Sequence, residues 1–398
     1  MLKQKKIAII GESLTTFFFL LDNSQNKDIK IDIYSNKPIS MGHFNGVSIN
    51  DNLYDLGMTL FEFDSYQNNN NYFLDYNTDK MGDSGRFSKK IQSYFQDKNI
   101  EFNEVKSIYT FYRDTYFPDF LIQNNLDVLN SFNKKEKSLI YKELKKNIKE
   151  KQVFHPKNKQ KWKNINQFNL YDTLNNIYGK KLCEHLIYPF IKKISPQKSN
   201  ELASLFHRKI WLPLYYPESI LDFVQKGKQD FRALKFHYPN HNSIANILKK
   251  MSEKINLSSI GIFDINKVQR VSSKKYPTVY FNNEKKSYDT IIYSGKHQDS
   301  CKHFDHKKME FDKESITIAY IKIDKKIVLK YFTIINILDP KLNIYRMTNY
   351  TNLKNKDNSI FDVVSMELKY NPNYDNSNLI SPLLLKELIK LKIVDQSA

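Results

Sequence analysis

The N-terminal stretch of the chain restricts the possible folds more than any other. Residues 7–10 form a short apolar run that stops at Gly11, which is typical of a buried parallel strand. Residues 13–21 favour a helix, and Ile29, Ile31 and Ile33 then alternate with polar residues as in a second strand. This order predicts a βαβ unit of the kind that holds a nucleotide, because a helix N-terminus directs free N–H groups at an anion above the turn.

The turn of this βαβ unit departs from the usual dinucleotide fingerprint, Gly-x-Gly-x-x-Gly. Gly11 occupies the first glycine position, whereas Ser13 and Thr16 occupy the other two. The second strand usually ends in an acid that binds the ribose, but Ser35 stands there and the nearest acid, Asp32, lies inside the strand. Two interpretations follow from this stretch: a nucleotide site, or an ordinary βαβ unit that binds nothing.

Composition argues against several classes of protein. The chain has 398 residues and a formal net charge of +19, but only six of its 62 basic residues are arginine. The lysines are dispersed, which favours solvated lysine surfaces and no nucleic-acid partner. Two cysteines make neither a disulfide framework nor a zinc set, so we predict no metal site. Because no stretch approaches about 18 uninterrupted apolar residues, we predict no transmembrane segment. The two cysteines fit a reducing compartment and the N-terminal residues show no signal-peptide pattern, so we predict a cytoplasmic location.

The hydrophobic periodicity changes twice along the chain. Residues 66–230 have mainly helical patterns, including a helix over residues 169–179 that stops at its final glycine, while residues 117–120 predict a turn. Short strand patterns return between residues 260 and 368. Residues 381–391 predict a last helix with Pro382 in its first turn. These patterns predict an α/β protein in which a helical module interrupts the nucleotide-binding unit.

Several short motifs then occur in an order found in one family. After the βαβ unit come Met41-Gly-His-Phe, Tyr54-Asp-Leu-Gly, a Tyr-Pro pair at residues 238 and 239 before a helix, and Tyr-Asp-Thr-Ile-Ile-Tyr at residues 288–293. In this order the motifs resemble the flavin-dependent amine oxidase and protoporphyrinogen oxidase superfamily, which also includes UDP-galactopyranose mutases. The resemblance covers roughly residues 5–350.

The resemblance implies a discontinuous FAD/NAD(P)-binding Rossmann-like domain with an inserted, mainly helical substrate domain that carries an additional sheet. The implied boundaries are 1–65 and 232–300 for the FAD/NAD(P)-binding domain, 66–231 for the helical part, 301–365 for the substrate-domain sheet and 366–398 for a C-terminal helical segment. It further implies FAD as cofactor and a small-molecule substrate. The residues expected to bind the cofactor are Gly11, Ser13, Leu14, Thr15, Ser35, Gly42, His43, Gly57, Met58 and Val268.

Other positions depart from the family pattern. His43 stands where arginine is common, Asn240 and His241 replace a glycine pair, and no Gly-Asp motif follows Arg346. In the family the aspartate of that motif meets the flavin ribityl chain and pyrophosphate, so either the C-terminus is shortened or flavin binding is relaxed or lost. Three hypotheses remain open: an FAD-dependent oxidoreductase, a degenerate member without flavin that serves as a binding or scaffold protein, and a nucleotide-sugar mutase.

Arg346 and Tyr345 are the residues expected to bind substrate. In the mutase branch an arginine on a comparable strand contacts a substrate phosphate, and a planar guanidinium group with five donors suits a phosphate or carboxylate. The other interpretation of Arg346 is a surface salt bridge. The sequence assigns no catalytic acid or base, and it does not give the oligomeric state.

Overall fold

The computed structural model describes residues 4–61, 95, 99–150, 168–195, 197, 199–204, 206–229, 234–272, 276–295, 303, 315–355 and 358–395, with the backbone alone at 208 and 209. This part of the chain is mixed α/β with several sheets, as the sequence predicts. It divides into two compact units, each made of two segments. Unit 1 comprises Met1–Leu56 and Asn242–Lys313, and unit 2 comprises Gly57–His241 and Glu314–Ala398. The finer domain boundaries given above stay predictions.

The elements follow one another along the chain as strands and mostly short helices. The strands are β1 (Lys5–Ile10), β2 (Ile29–Tyr34), β3 (Val47–Ile49), β4 (Asn52–Tyr54), β5 (Phe102–Glu104), β6 (Ile108–Tyr112), β7 (Thr115–Pro118), β8 (His237–Pro239), β9 (Ile260–Phe263), β10 (Val268–Ser272), β11 (Thr278–Phe281), β12 (Glu284–Ser287), β13 (Thr290–Tyr293), β14 (Ile316–Asp324), β15 (Ile334–Ile337), β16 (Ile344–Asn349) and β17 (Phe361–Lys369). The α-helices are α1 (Leu14–Asn23), α2 (Lys134–Lys149), α3 (Leu170–Tyr178), α4 (Lys180–Leu182), α5 (Tyr188–Ile194), α6 (Phe206–Lys209), α7 (Pro217–Lys226), α8 (Ile244–Ser252), α9 (Tyr350–Leu353) and α10 (Ser377–Lys390). Cys183–Ile187 forms a π-helical turn.

Unit 1 is built on a parallel four-stranded sheet with the order β13-β1-β2-β9. The apolar run of β1 is buried from Ile7 to Ile10, which explains why it reads as a continuous hydrophobic segment. Asp289 fixes the register at the start of the sheet, because its carboxylate accepts the Lys6 N–H at 2.7 Å and its own N–H donates to the Lys6 carbonyl at 2.9 Å. The predicted βαβ unit is therefore present.

Two smaller β structures complete unit 1. Strands β10, β11 and β12 form an antiparallel sheet, and β3 and β4 form a hairpin. The hairpin is tied to helix α8, since the buried Asp55 carboxylate accepts the Ile244 N–H at 3.3 Å and the Ala245 N–H at 2.7 Å. Asp55 thus stabilises the N-terminus of α8 through the free amides and the helix dipole.

Unit 2 contains a six-stranded sheet with the order β14-β17-β16-β15-β6-β7. Strands β15 and β6 are parallel, and the other neighbouring strands are antiparallel. Helix α10 packs on this sheet through Ile380, Leu384 and Leu388. A second apolar cluster gathers helices α2, α3, α5 and α7. Within the described ranges, no helix combines the length and apolar character needed to cross a membrane.

Two local predictions were wrong, and one strand was not predicted. The turn expected at residues 117–120 lies earlier, because Arg113 and Asp114 have φ of +50° and +57° and form the two-residue turn of a β6–β7 hairpin. Helix α10 begins before the expected residue, because Asn376 caps it by accepting the Asn378 N–H at 2.9 Å, and Pro382 lies inside it. The polar strand β12 was not predicted, because it pairs only with β11 and carries no apolar alternation.

Lys193 is a buried cation in unit 2. Its ammonium group donates to the carbonyls of Ile337 at 3.0 Å and Ile344 at 3.2 Å. Burial lowers the pKa of Lys193 to about 7, although Glu387 and Asp339 act in the opposite direction. Above pH 7 the folded state therefore binds fewer protons at Lys193 than the unfolded state does. For that reason Lys193 makes the free energy of unfolding rise with pH.

The pH dependence of unfolding tests this assignment. Between pH 7 and pH 9, we expect the free energy of unfolding of the wild type to rise by about 2 kcal/mol relative to Lys193→Met. Urea denaturation at several pH values measures the difference. The exposed neighbour Lys192 provides the control, and Lys192→Met is expected to follow the wild type. If the free energies of unfolding of the wild type and Lys193→Met changed with pH by the same amount, the lowered pKa of Lys193 would be contradicted.

Candidate functional site

The turn after β1 in unit 1 is closed against the end of β13. Gly11 has φ of +98°, and a Cβ placed on it would lie 2.4 Å from the backbone nitrogen of Gly295. The Gly11 N–H donates to the Tyr34 carbonyl at 2.9 Å, and the Ser294 N–H donates to the Ile10 carbonyl at 2.7 Å. Both the backbone conformation and this close approach require glycine at position 11.

Ser13 begins helix α1 as its N-cap. Its Oγ accepts the N–H groups of Thr15 at 3.1 Å and Thr16 at 3.3 Å, and it also contacts the hydroxyl of Ser294. Thr16, which replaces the third glycine of the fingerprint, lies in the first turn of α1 and is buried. The first turn of α1 is thus formed without the second and third glycines.

The N-terminus of α1 presents a row of backbone donors. Among the described residues, no group accepts the N–H of Glu12, Ser13 or Leu14. Leu14 is the first residue of the ten-residue helix and Ser13 is its N-cap, so the Leu14 N–H lies at the positive end of the helix dipole and the N–H groups of Ser13 and Glu12 precede it. Such a row is suited to a phosphate or another anion.

Asp32, the acid of β2, is buried and hydrogen-bonded inside unit 1. The Tyr288 hydroxyl donates to Asp32 Oδ2 at 2.7 Å, and the hydroxyls of Tyr34 and Tyr288 are 2.7 Å apart. Burial raises the pKa of Tyr34 to about 12 and also raises the pKa of Tyr288, so both hydroxyls keep their protons near neutral pH. A Cβ on Gly261 would lie 2.4 Å from Asp32 Oδ1.

Ser35 follows β2 and contacts the turn after β1. It is 3% exposed; its Oγ donates to Glu12 Oε2 at 3.2 Å and accepts the Lys37 N–H at 2.9 Å. Its own N–H donates to the Phe263 carbonyl at 2.9 Å, which fixes Ser35 at the carboxyl end of the sheet. The predicted residues at the turn and at the end of β2 are therefore neighbours, and Glu12 joins them.

The other predicted cofactor residues of unit 1 occupy two different environments. Gly42 and His43 are exposed in the 3₁₀ turn Gly42–Asn45, and Gly42 has φ of +58°. Val268 begins β10, where its side chain is buried in the apolar cluster that also contains Ile10 and Tyr34. Their roles in binding a cofactor stay predictions.

In unit 2 a set of side chains holds the Gly57–Met58 backbone. The Tyr320 hydroxyl accepts the Gly57 N–H at 3.2 Å, Glu367 Oε1 accepts the Met58 N–H at 3.2 Å, and the Tyr350 hydroxyl donates to the Gly57 carbonyl at 2.7 Å. Gly57 has φ of +73°, and a Cβ on it would be 3.2 Å from Glu367 Oε1. The segment is thus fixed on the face of the six-stranded sheet.

Arg346 forms a buried, bidentate ion pair with Glu367. Nε donates to Oε1 at 2.9 Å and Nη2 donates to Oε2 at 2.6 Å, with the two side chains 14% and 2% exposed. Burial opposes the charged form of Glu367, but the Arg346 guanidinium holds the pKa of that carboxyl below its usual value. The Arg346 guanidinium also lies 5.5 Å from the ring centroid of the preceding residue, Tyr345. Two of the five guanidinium donors are therefore taken, and a role in substrate binding stays a prediction.

Sequence reasoning did not single out several residues of these arrangements. They are Glu12, Ser294, Tyr320, Tyr350 and Glu367. Glu367 alone carried a signal, since it lies between Met366 and Leu368 in a strand of apolar residues, where an acid is buried only when it is paired. The others act through contacts between residues far apart in the sequence.

Unit 1 has the topology of an α/β fold built on a βαβ unit. Its parallel sheet, the glycine turn at the end of the first strand and the helix that begins after that turn are features that dinucleotide-binding domains share. No model of a protein family matches the sequence. No curated protein matches it either.

Solved structures give the particular fold. A reduced UDP-galactopyranose mutase is 15% identical, with a TM-score of 0.64 over 98% of this chain and 79% of the other. A putative protoporphyrinogen oxidase from Exiguobacterium sp. 255-15 is 11% identical, with a TM-score of 0.60 over 98% and 84%. A putrescine oxidase is 10% identical, with a TM-score of 0.54 over 99% and 82%. The chain therefore has the fold of the flavin-dependent amine oxidase superfamily, and the resemblance drawn from the motifs is confirmed at the level of the fold.

The contact between Asp32 and Gly261 can be tested by substitution. We expect Gly261→Ala to lower the free energy of unfolding by about 1–3 kcal/mol, because the added methyl group meets Asp32 Oδ1. In an Asp32→Ala background the same substitution should cost less, since the opposing oxygen is absent. Denaturant unfolding of the four proteins measures this coupling, and equal costs in both backgrounds would contradict the contact.

Breaking the buried ion pair should be strongly destabilising. Arg346→Met is expected to lower the free energy of unfolding by about 3–5 kcal/mol, because it leaves the Glu367 carboxylate buried without its partner. Lys146, which forms an exposed pair with Glu150, provides the control, and Lys146→Met should change stability by about 0.5 kcal/mol or less. Similar small effects in both variants would show that the Arg346 pair is not buried as described.

Proposed function

We propose that the protein is an FAD-dependent oxidoreductase of the amine oxidase and protoporphyrinogen oxidase type that acts on a small molecule. In this proposal unit 1 is a discontinuous FAD-binding domain, and unit 2 supplies a helical substrate domain with its own sheet. The observation that carries the proposal is the set of three consecutive backbone N–H groups, at Glu12, Ser13 and Leu14, that no group in the described part of the chain accepts. Those donors suit the pyrophosphate that joins the two halves of FAD.

The residues of this turn fit a pyrophosphate despite the missing glycines. The Ser13 side chain is held by its cap hydrogen bonds to Thr15 and Thr16, while its backbone N–H stays available. Thr16 is buried in the first turn of α1, so the branched side chain is accommodated where a glycine is usual. Gly11 retains the positive φ that the tight turn requires.

The proposal gives the described residues specific tasks. The Glu12, Ser13 and Leu14 amides would bind the pyrophosphate, with Gly11 shaping the turn. Thr15, Ser35, Gly42, His43, Gly57, Met58 and Val268 are further cofactor contacts proposed from the resemblance. FAD, when bound, would supply the electron-transfer chemistry, and the protein would bind, orient and shield the reacting groups.

In unit 2 the proposal concerns the Gly57–Met58 segment and its support. Glu367 accepts the Met58 N–H, and Arg346 holds Glu367 in place. We propose that Arg346 and Tyr345 bind the substrate, Arg346 through the guanidinium donors that do not contact Glu367. We assign no catalytic acid or base, and we do not extend the proposal to a sugar nucleotide, because the arginine on which a mutase was hypothesised has two donors on Glu367.

One backbone donor can be removed without altering the rest of the turn. Leu14→Pro deletes the Leu14 N–H at the first helical position, where proline is well tolerated, and the extended Ser13 (φ −165°, ψ 173°) is compatible with a following proline. We expect this variant to bind FAD and ADP about tenfold or more weakly than the wild type, because a charge-assisted hydrogen bond is lost. Titration calorimetry measures both affinities.

Leu14→Ala is the matched control for the lost side chain. It keeps the N–H and should bind FAD and ADP as the wild type does. Equal weakening in the proline and alanine variants would contradict the assignment of the Leu14 N–H. A wild type that binds neither FAD nor ADP would overturn the proposal and favour a family member that has lost flavin and serves as a binding or scaffold protein.

A further inference from the structure

The end of β2 in unit 1 has a carboxylate that does not come from β2. In dinucleotide-binding domains an acid at this place hydrogen-bonds the ribose hydroxyls, but the strand is followed here by Ser35. The Ser35 Oγ donates to Glu12 Oε2 at 3.2 Å. The side chain of Glu12 therefore reaches from the turn after β1 to the position where the strand would have carried its acid.

The acid within β2 does not take this role. Asp32 accepts the Tyr288 hydroxyl at 2.7 Å, is only 9% exposed, and packs against Gly261. Its carboxylate faces an internal hydrogen-bond chain, whereas Glu12 is exposed to solvent. Of these two acids, only Glu12 has oxygens that a bound molecule can reach at the carboxyl end of the sheet.

We propose that Glu12 replaces the missing strand acid and accepts the hydroxyl groups of the adenosine ribose. This inference rests on the proposed binding of FAD and deepens it. The same residue offers its backbone N–H in the donor row and its carboxylate beside Ser35, so one turn supplies donors for a pyrophosphate and an acceptor for the ribose. The ligand selected in this way is an adenine dinucleotide with a free 2′-hydroxyl, because a 2′-phosphate would meet the negative charge of Glu12.

Comparison of ADP with 2′-deoxy-ADP tests the role of Glu12 directly. The two probes differ only in the hydroxyl that the carboxylate is proposed to accept. We expect the full-length wild type to bind ADP about tenfold more tightly than 2′-deoxy-ADP, which is the range of a hydrogen bond to a charged group. In Glu12→Gln the preference should fall to about threefold, because a neutral amide oxygen accepts the hydroxyl more weakly than a carboxylate, with titration calorimetry as the readout.

Asp28→Asn provides the matched control. Asp28 is an exposed acid just before β2, at the opposite end of that strand, so this variant removes the same charge away from the site. It should keep the wild-type preference for ADP, and thermal unfolding of both variants should show that each is folded.

The measurements distinguish a failure of the role of Glu12 from a failure of FAD binding. A wild type that binds ADP and 2′-deoxy-ADP equally, or a Glu12→Gln variant that keeps the full preference, overturns the role of Glu12 and leaves FAD binding standing. A wild type that binds neither ADP nor FAD overturns both the proposed function and this inference.

Discussion

The close approach of the Gly11 turn to the end of β13 is the constraint on which unit 1 depends. A Cβ at position 11 would lie 2.4 Å from the Gly295 nitrogen, so the two strand ends meet only because one of them is glycine. The backbone bonds from Ser294 to Ile10 and from Gly11 to Tyr34 hold three neighbouring strands at this edge. Helix α1 starts directly afterwards, and its free N–H groups are placed by that geometry.

Unit 2 is organised around a different interaction, the buried pair of Arg346 and Glu367. A buried ion pair is stable only when further hydrogen bonds satisfy its remaining oxygens, and here Glu367 also accepts the Met58 N–H. The pair thus fixes a backbone segment as well as two strands. Tyr320 and Tyr350 complete this support by binding the N–H and carbonyl of Gly57.

The sequence allowed much of unit 1 to be predicted, because buried parallel strands and a glycine turn leave local signals. Helix α3 was also predicted, because its helical pattern ends at a glycine. The contact of Glu12 with Ser35 was not predictable, since an exposed acid in a turn carries no local signal of the strand end that it reaches. The polar strand β12 and the position of Pro382 were missed because pairing and capping overrode simple patterns. The expected roles in cofactor and substrate binding stay predictions, because they concern ligands.

The central claim is that this divergent turn still binds a flavin dinucleotide. The most direct measurement is the visible absorption spectrum of the purified full-length protein, recorded with and without added FAD after gel filtration. We expect flavin absorption bands that stay with the protein through the column. A protein that remains colourless after incubation with FAD would contradict it, and the turn at Gly11 would then be a structural feature of the fold without a cofactor.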